Sequence, residues 1–157
     1  MAATEPGSLE AIHLADVEGG PMRAVDRVTA IAGIGLEGDR YALPVEAQDP
    51  DEVREVTLVE AEQLDWLSDE HGIRLESGAT RRNLTTRGVR LNELVGRTFR
   101  VGRVRIQGVE LCEPCAHMQE MVGRPVLRPL VHRAGLRARL LDDGELQVGD
   151  PIEVDPV

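Results

Sequence analysis

Apolar residues in this chain come in short runs that break at glycine or proline, and only one segment repeats them at the spacing of a helix. Residues 56–59 (Val-Thr-Leu-Val) and 98–101 (Thr-Phe-Arg-Val) read as strands, because side chains on a strand alternate between two faces. In residues 103–107, Val104 and Ile106 alternate with Arg103, Arg105 and Gln107, which predicts a sheet with one apolar and one wet side. Residues 9–17, 25–31 and 83–86 add short strand candidates, each followed by a turn containing glycine. The exception is 60–71, where Ala61, Leu64, Leu67 and His71 recur at helical spacing and Gly72 stands where a C-terminal cap belongs. Residues 91–95 predict a short helical turn, and the polar, twice proline-interrupted residues 44–55 predict an exposed loop.

Many short strands with one clear helix favour an antiparallel barrel or sandwich over an alternating α/β sheet. A chain of 157 residues makes one domain, 1–157, long enough to bury about 70% of the surface its unfolded form exposes. Trp66, Tyr41 and Phe99 are the only aromatic residues, so Val, Leu and Ile must fill the core, and branched side chains suit a pleated surface. Gly33-Ile-Gly35-Leu-Glu-Gly38-Asp39-Arg40 lacks the spacing of a dinucleotide fingerprint and reads as a structural turn. A faint echo links Val148-Gly149-Asp-Pro-Ile152 to Val101-Gly102-Arg-Val-Arg-Ile106, as two barrel strands entered through similar turns would give.

The formal charge of −10 argues against a nucleic-acid partner held by phosphate neutralisation. Its distribution is uneven: residues 81–105 hold 8 arginines and 1 acid inside an otherwise acidic chain. Such an island either pairs with the acidic flanks or lines a pocket for phosphate or carboxylate with planar arginine forks. Every basic residue is arginine, so no lysine is present to form an imine and no pyridoxal phosphate is expected on this chain. The acidic start lacks the features of a secretory signal, no apolar run reaches the roughly 20 residues of a membrane span, and the two cysteines suit a reducing cytoplasm.

Both cysteines lie in Cys112-Glu113-Pro114-Cys115-Ala116-His117. Three chemistries compete for them. Zinc would use the C-x-x-C pair with His117, but a closed site needs four ligands and no second pair follows. A dithiol redox motif would need a strand and helix setting of the thioredoxin kind. A cysteine that carries sulfur or ligates a soft metal beside an anion-binding surface would use the arginines as well, with Arg81, Arg82, Asn83 and Thr85 offering forks, an amide and a hydroxyl. Against all three stands burial of both thiols as small apolar groups.

Gly35-Leu-Glu-Gly38-Asp39-Arg40, Val56 to Glu60, Arg81-Arg82-Asn83-Leu84, Leu94 to Gly102, Glu113-Pro114-Cys115 and Gly149-Asp150-Pro-Ile152 follow one another in that order over residues 25–154. In this combination the chain resembles the MOSC domain, named for the C-terminal part of molybdenum cofactor sulfurases. The resemblance implies a mainly β fold, an antiparallel β-barrel with a few short helices. It implies further that Cys115 is the working cysteine, either carrying a persulfide or ligating molybdenum. Arg81 and Asn83 match the segment that helps bind the molybdenum-pterin cofactor in relatives, and Arg133 is a weaker candidate for that role. The desulfurase domain of the larger relatives is absent here, so a separate sulfur donor, such as a cysteine desulfurase, or a reductase would be the partner.

These readings combine into one expectation. Cys115 is a partly exposed thiolate of low pKa that accepts sulfur or binds molybdenum, while Arg81 and Arg82 hold an anionic cofactor tail. The competing expectation is a non-catalytic domain, zinc-stabilised or partner-binding. Glu62, Asp65 and Asp69 on the helix offer a docking face or simply a solvated one.

Overall fold

The structure, a computed structural model, describes residues 6–156. Its strands are β1 (Gly7–Leu14), β2 (Arg23–Val25), β3 (Arg27–Ile31), β4 (Gly35–Leu36), β5 (Val56–Glu60), β6 (Leu84–Arg87), β7 (Thr98–Val101), β8 (Val104–Leu111), β9 (Leu136–Leu140), β10 (Gly144–Gln147) and β11 (Pro151–Val154). The helices are α1 (Ala61–His71) and α2 (Ala116–Val122), with single 3-10 turns at Val45–Ala47 and Leu91–Leu94.

Seven strands close a barrel in the order β1, β11, β7, β8, β9, β5, β6 and back to β1, with β2 hydrogen-bonded outside the ring to β1. Six of the seven contacts are antiparallel and one, β5 with β6, is parallel. Geometry requires this, because an odd ring cannot close on alternating directions alone. The parallel contact falls where α1 carries the chain from β5 to β6, the crossover that parallel neighbours need. Register shifts in β1 between Leu9 and Ala11, and in β8 between Gly108 and Glu110, add the local bend that curls a sheet into a barrel.

A small second sheet, β10 with β3 and β3 with β4, packs onto the same core. Val28, Ala30, Leu36 and Leu146 from it join Leu9, Ile12, Leu58, Leu84, Ile106 and Leu136 of the barrel in one apolar cluster. Phe99, fully buried, is the only aromatic in that cluster; Trp66 packs on a satellite cluster in which Leu67 of α1 meets Met118 of α2 with Val126, Leu130 and Ala134.

The helix at 60–71 forms from Ala61, and Gly72 caps it with φ 65. β8 buries Val104 and Ile106 and exposes Arg105, as its alternation predicts. The echo between residues 101–106 and 148–152 is a packing contact: Gly102 N–H donates to the Pro151 carbonyl at 2.9 Å, and Ile152 pairs with Val101. β9 and β10 are additions to the strands read from sequence, and β1 ends at Leu14, short of residue 17. Among the described residues no helix is long and apolar enough to cross a membrane.

Candidate functional site

The cysteine segment leaves the end of β8 and enters α2. Cys112 is held inside: its N–H donates to the Gly135 carbonyl at 2.8 Å, its carbonyl accepts from Arg82 Nη2 at 3.0 Å, and its sulfur accepts from Arg137 Nη2 at 3.7 Å. Cys115 is exposed and caps α2, its sulfur accepting the Met118 N–H at 3.4 Å. Between them Glu113 is fixed to the far loop, one carboxylate oxygen accepting the His132 N–H at 2.7 Å and the other meeting His132 Nδ1. The segment therefore has one thiol anchored in the wall and one presented to solvent.

Both cysteines are among the residues lining a cavity of about 210 Å3, together with Arg40, Arg54, Arg81, Arg82 and Arg137. Five arginines from four separate regions of the chain meet there. Arg40 is buried against Asp39, 3.0 Å away, and its Nη2 donates to the Arg81 carbonyl at 3.1 Å. Asp39 in turn accepts the Ala15 N–H at 3.1 Å, so the Gly-Asp-Arg turn is tied to the barrel and to the cavity at once. Arg81 has φ 63, in the left-handed region that costs a side-chain-bearing residue roughly 1–2 kcal/mol. The Arg40 contact holds it there. Arg81 Nη2 is buried with no hydrogen-bond partner among the described residues, and desolvation followed by repulsion from Arg40 lowers its pKa.

Arg82 does different work. Its Nε donates to the Ala134 carbonyl at 2.9 Å and its Nη2 to Cys112, so it staples β9's approach to the cysteine loop. Burial, with repulsion from Arg137, lowers its pKa. For Arg137, burial works downward, but the charges of Cys112 and Glu110 and hydrogen bonds to both outweigh it and raise the pKa. Tyr41 completes this side of the cavity, with the Arg40 and Arg54 guanidinium carbons 4.4 and 5.5 Å from its ring centroid.

Of the residues singled out from sequence, Cys115, Arg81, Arg82, Cys112 and His117 line this cavity, while Asn83, Thr85 and Arg133 do not. Asn83 is fully buried: its Oδ1 accepts from the Thr57 N–H at 3.1 Å and its Nδ2 donates to the His13 carbonyl at 3.1 Å. Any effect on a ligand passes through Thr57, which does line the cavity. Thr85 is buried within β6, and Arg133 lies 3.6 Å over the Trp66 ring with Nη1 donating to Gln63 at 2.7 Å.

The basic island divides between its two expected fates. Arg81 and Arg82 reach the cavity, whereas Arg87 pairs with Glu10 and Asp65, Arg100 with Asp155 and Arg105 with Asp142. Two of the three helix acids are engaged, Glu62 accepting the Gly88 N–H at 2.7 Å through one carboxylate oxygen and Asp65 meeting Arg87. Arg40, Arg54, Arg137 and Tyr41 went unassigned in the sequence. The Gly-Asp-Arg turn was a signal for Arg40; nothing local marks Arg54 or Arg137. Among the described residues no three His, Cys, Asp or Glu side chains converge as a metal's ligand set would, which weighs against a closed zinc site at Cys112 and Cys115.

A family model described as MOSC domain matches residues 16–153. The fold is similar to the YuaD protein from Bacillus subtilis, with a TM-score of 0.79 at 19% identity over 94% of each chain. YiiM from Geobacillus stearothermophilus superposes with a TM-score of 0.70 at 16% identity, covering 96% of this chain and 76% of that one. YiiM from Escherichia coli gives 0.69 at 18% identity over 99% and 71%. Among curated proteins, none matches the sequence.

Proposed function

Because this chain belongs to the MOSC domain family, associated with molybdenum cofactor sulfurase-like proteins, we propose that its arginine cavity receives the anionic end of molybdenum-pterin cofactor beside Cys115. The observation that carries this reading is the buried, unpartnered Nη2 of Arg81 in a cavity bordered by an exposed thiol. A buried guanidinium donor without an acceptor is costly, and a phosphate oxygen supplies the missing acceptor.

The residues present fit such a group. Arg81 donates to the phosphate, with Arg54 at the open side, while Arg82 and Arg137 keep the wall positive without spending their donors on it. Arg40 fixes the Arg81 backbone, and the Glu113 to His132 contact fixes the cysteine loop, so both partners are positioned before anything binds. The cofactor, when bound, supplies redox chemistry at molybdenum, for which a thiolate is a suitable soft ligand. Cys115 is the thiol free to serve, since Cys112 faces inward against Arg137.

A second reading is favoured by the exposure of Cys115. Its thiolate attacks the outer sulfur of a donor persulfide; the new bond forms at Cys115, the donor's sulfur–sulfur bond breaks, and the donor leaves as a thiolate. The donor on this reading is a separate protein such as a cysteine desulfurase, and under cofactor binding the electrons come from a separate reductase.

The experiment is elemental and pterin analysis of protein purified from cells that make the cofactor. Wild type and Cys112→Ala should carry molybdenum with releasable pterin, Cys115→Ala should lose molybdenum, and Arg81→Ala should lose both. Protein free of molybdenum that gains the mass of one sulfur atom on Cys115 from a persulfide donor would select the carrier reading. Absence of molybdenum, pterin and sulfur addition alike would sink both, and stoichiometric zinc lost equally in the two cysteine variants would establish the structural alternative.

A further inference from the structure

The cysteine cavity is small and cationic. At about 210 Å3 it lies below the roughly 300–1,000 Å3 of pockets that enclose drug-sized ligands, and its lining holds five arginines against two acids, Glu18 and Glu113. Glu113 is already engaged by the His132 N–H and Nδ1, and Glu18 is exposed. Such a lining favours a compact anion.

Two of its residues decide what that anion does there. Arg40 is spent on Asp39 and on the Arg81 carbonyl, whereas Arg81 keeps a buried Nη2 with no acceptor among the described residues. A planar fork with a donor to spare suits an oxygen on sulfur or phosphorus. Cys115, on the same cavity, is an exposed free thiol, and a thiolate attacks sulfur that is bonded to a second sulfur. A phosphate oxyanion would only bind beside that thiol. An oxyanion that carries a sulfane sulfur would react with it.

We propose that this cavity accepts a small oxyanion of the thiosulfate type as a direct sulfur donor to Cys115. The proposal rests on the sulfur-carrier reading above and names a donor for it. The Cys115 thiolate attacks the outer sulfur of thiosulfate; a new sulfur–sulfur bond forms at Cys115, the old one breaks, and its electron pair leaves with the three oxygens as sulfite. One sulfane sulfur changes partner, and no oxidant or reductant enters. Negative charge builds on the departing group, where the spare Arg81 donor stabilises it. A second thiol, or cyanide, then takes the outer sulfur and restores the Cys115 thiolate.

The test uses the full chain made in cells that lack the molybdenum cofactor, with thiosulfate as the probe and cysteine persulfide as the comparison donor. Thiosulfate should add the mass of one sulfur atom to Cys115, release an equal amount of sulfite, and yield thiocyanate when cyanide follows; Cys115→Ala should do none of these. Arg81→Ala should slow the thiosulfate reaction at least tenfold more than the persulfide reaction. Arg105→Ala removes an arginine that is paired with Asp142 outside the cavity and should slow neither. On wild type, sulfate should compete with thiosulfate and spare the persulfide reaction. Sulfur loading from the persulfide but not from thiosulfate overturns the proposal and leaves the carrier reading standing. A thiosulfate reaction slowed equally by Arg81→Ala and Arg105→Ala, or indifferent to sulfate, overturns it too. Loading from neither donor overturns the carrier reading with it.

Discussion

At the scale of single residues, neighbours of the same type do unlike jobs. Cys112 and Cys115 stand three positions apart, yet one is 4% exposed and the other open to solvent. We expect iodoacetamide to label Cys115 in the native protein and Cys112 only after unfolding; equal native labelling, read by peptide mass spectrometry, would contradict this placement. Arg81 and Arg82 diverge similarly. Arg82→Ala strands two carbonyls that its guanidinium now satisfies, and should cost about 2–4 kcal/mol in urea unfolding. Arg81→Gly removes no side-chain hydrogen bond and relieves a left-handed backbone, so its stability should stay within about 1 kcal/mol of wild type or rise, while phosphate-dependent ligand binding is lost.

At the scale of elements, the site depends on how closely β5 and β9 approach. Gly135, just before β9, has φ 121, and a Cβ there would lie 1.9 Å from the Leu58 carbonyl oxygen. Its own carbonyl accepts the Cys112 N–H, so the same residue sets the barrel seam and the cysteine loop. Gly135→Ala should therefore destabilise by about 3 kcal/mol or more and expose Cys112 to alkylation at denaturant concentrations where wild type protects it. Elements with strong local signals were legible in advance: α1 has its apolar spacing and Gly72, and β8 has its alternation. β9 carries the same kind of alternation, Leu136, Ala138 and Leu140 inward with Arg137 and Arg139 between, but its arginines masked it as part of a basic stretch. β10 and β4 are short and gain their definition from pairing with β3, which no local pattern announces.

At the scale of the molecule, the buried polar groups set how stability responds to pH. His13 is 2% exposed, its Nε2 meets Ser77 at 2.9 Å, and its Nδ1 has no partner among the described residues. Burial lowers its pKa below the ordinary 6.5, so the folded state favours the neutral ring. Its contribution to stability is fully present above pH 6.5 and is lost progressively as pH falls from there toward the depressed folded value, because the unfolded chain takes up the proton first. Urea midpoints measured from pH 7.5 down to 5 should fall for wild type and fall less steeply for His13→Gln; parallel curves would remove His13 as the cause.

The sequence by itself determined the mainly β architecture and the one long helix, excluded imine chemistry from a lysine-free chain, and marked the two thiols as candidates. Those follow from periodicity and residue type, which act locally. Only the tertiary structure decided which arginines matter. Arg87, Arg100 and Arg105 looked no different from Arg81 in the sequence, but ion pairs with distant acids hold them on the surface. Arg40, Arg54 and Arg137 come to the cysteine cavity from remote segments because barrel closure brings their strands and loops together there. A binding surface made from long-range convergence has no local signature; its charges add only after the chain has closed the ring.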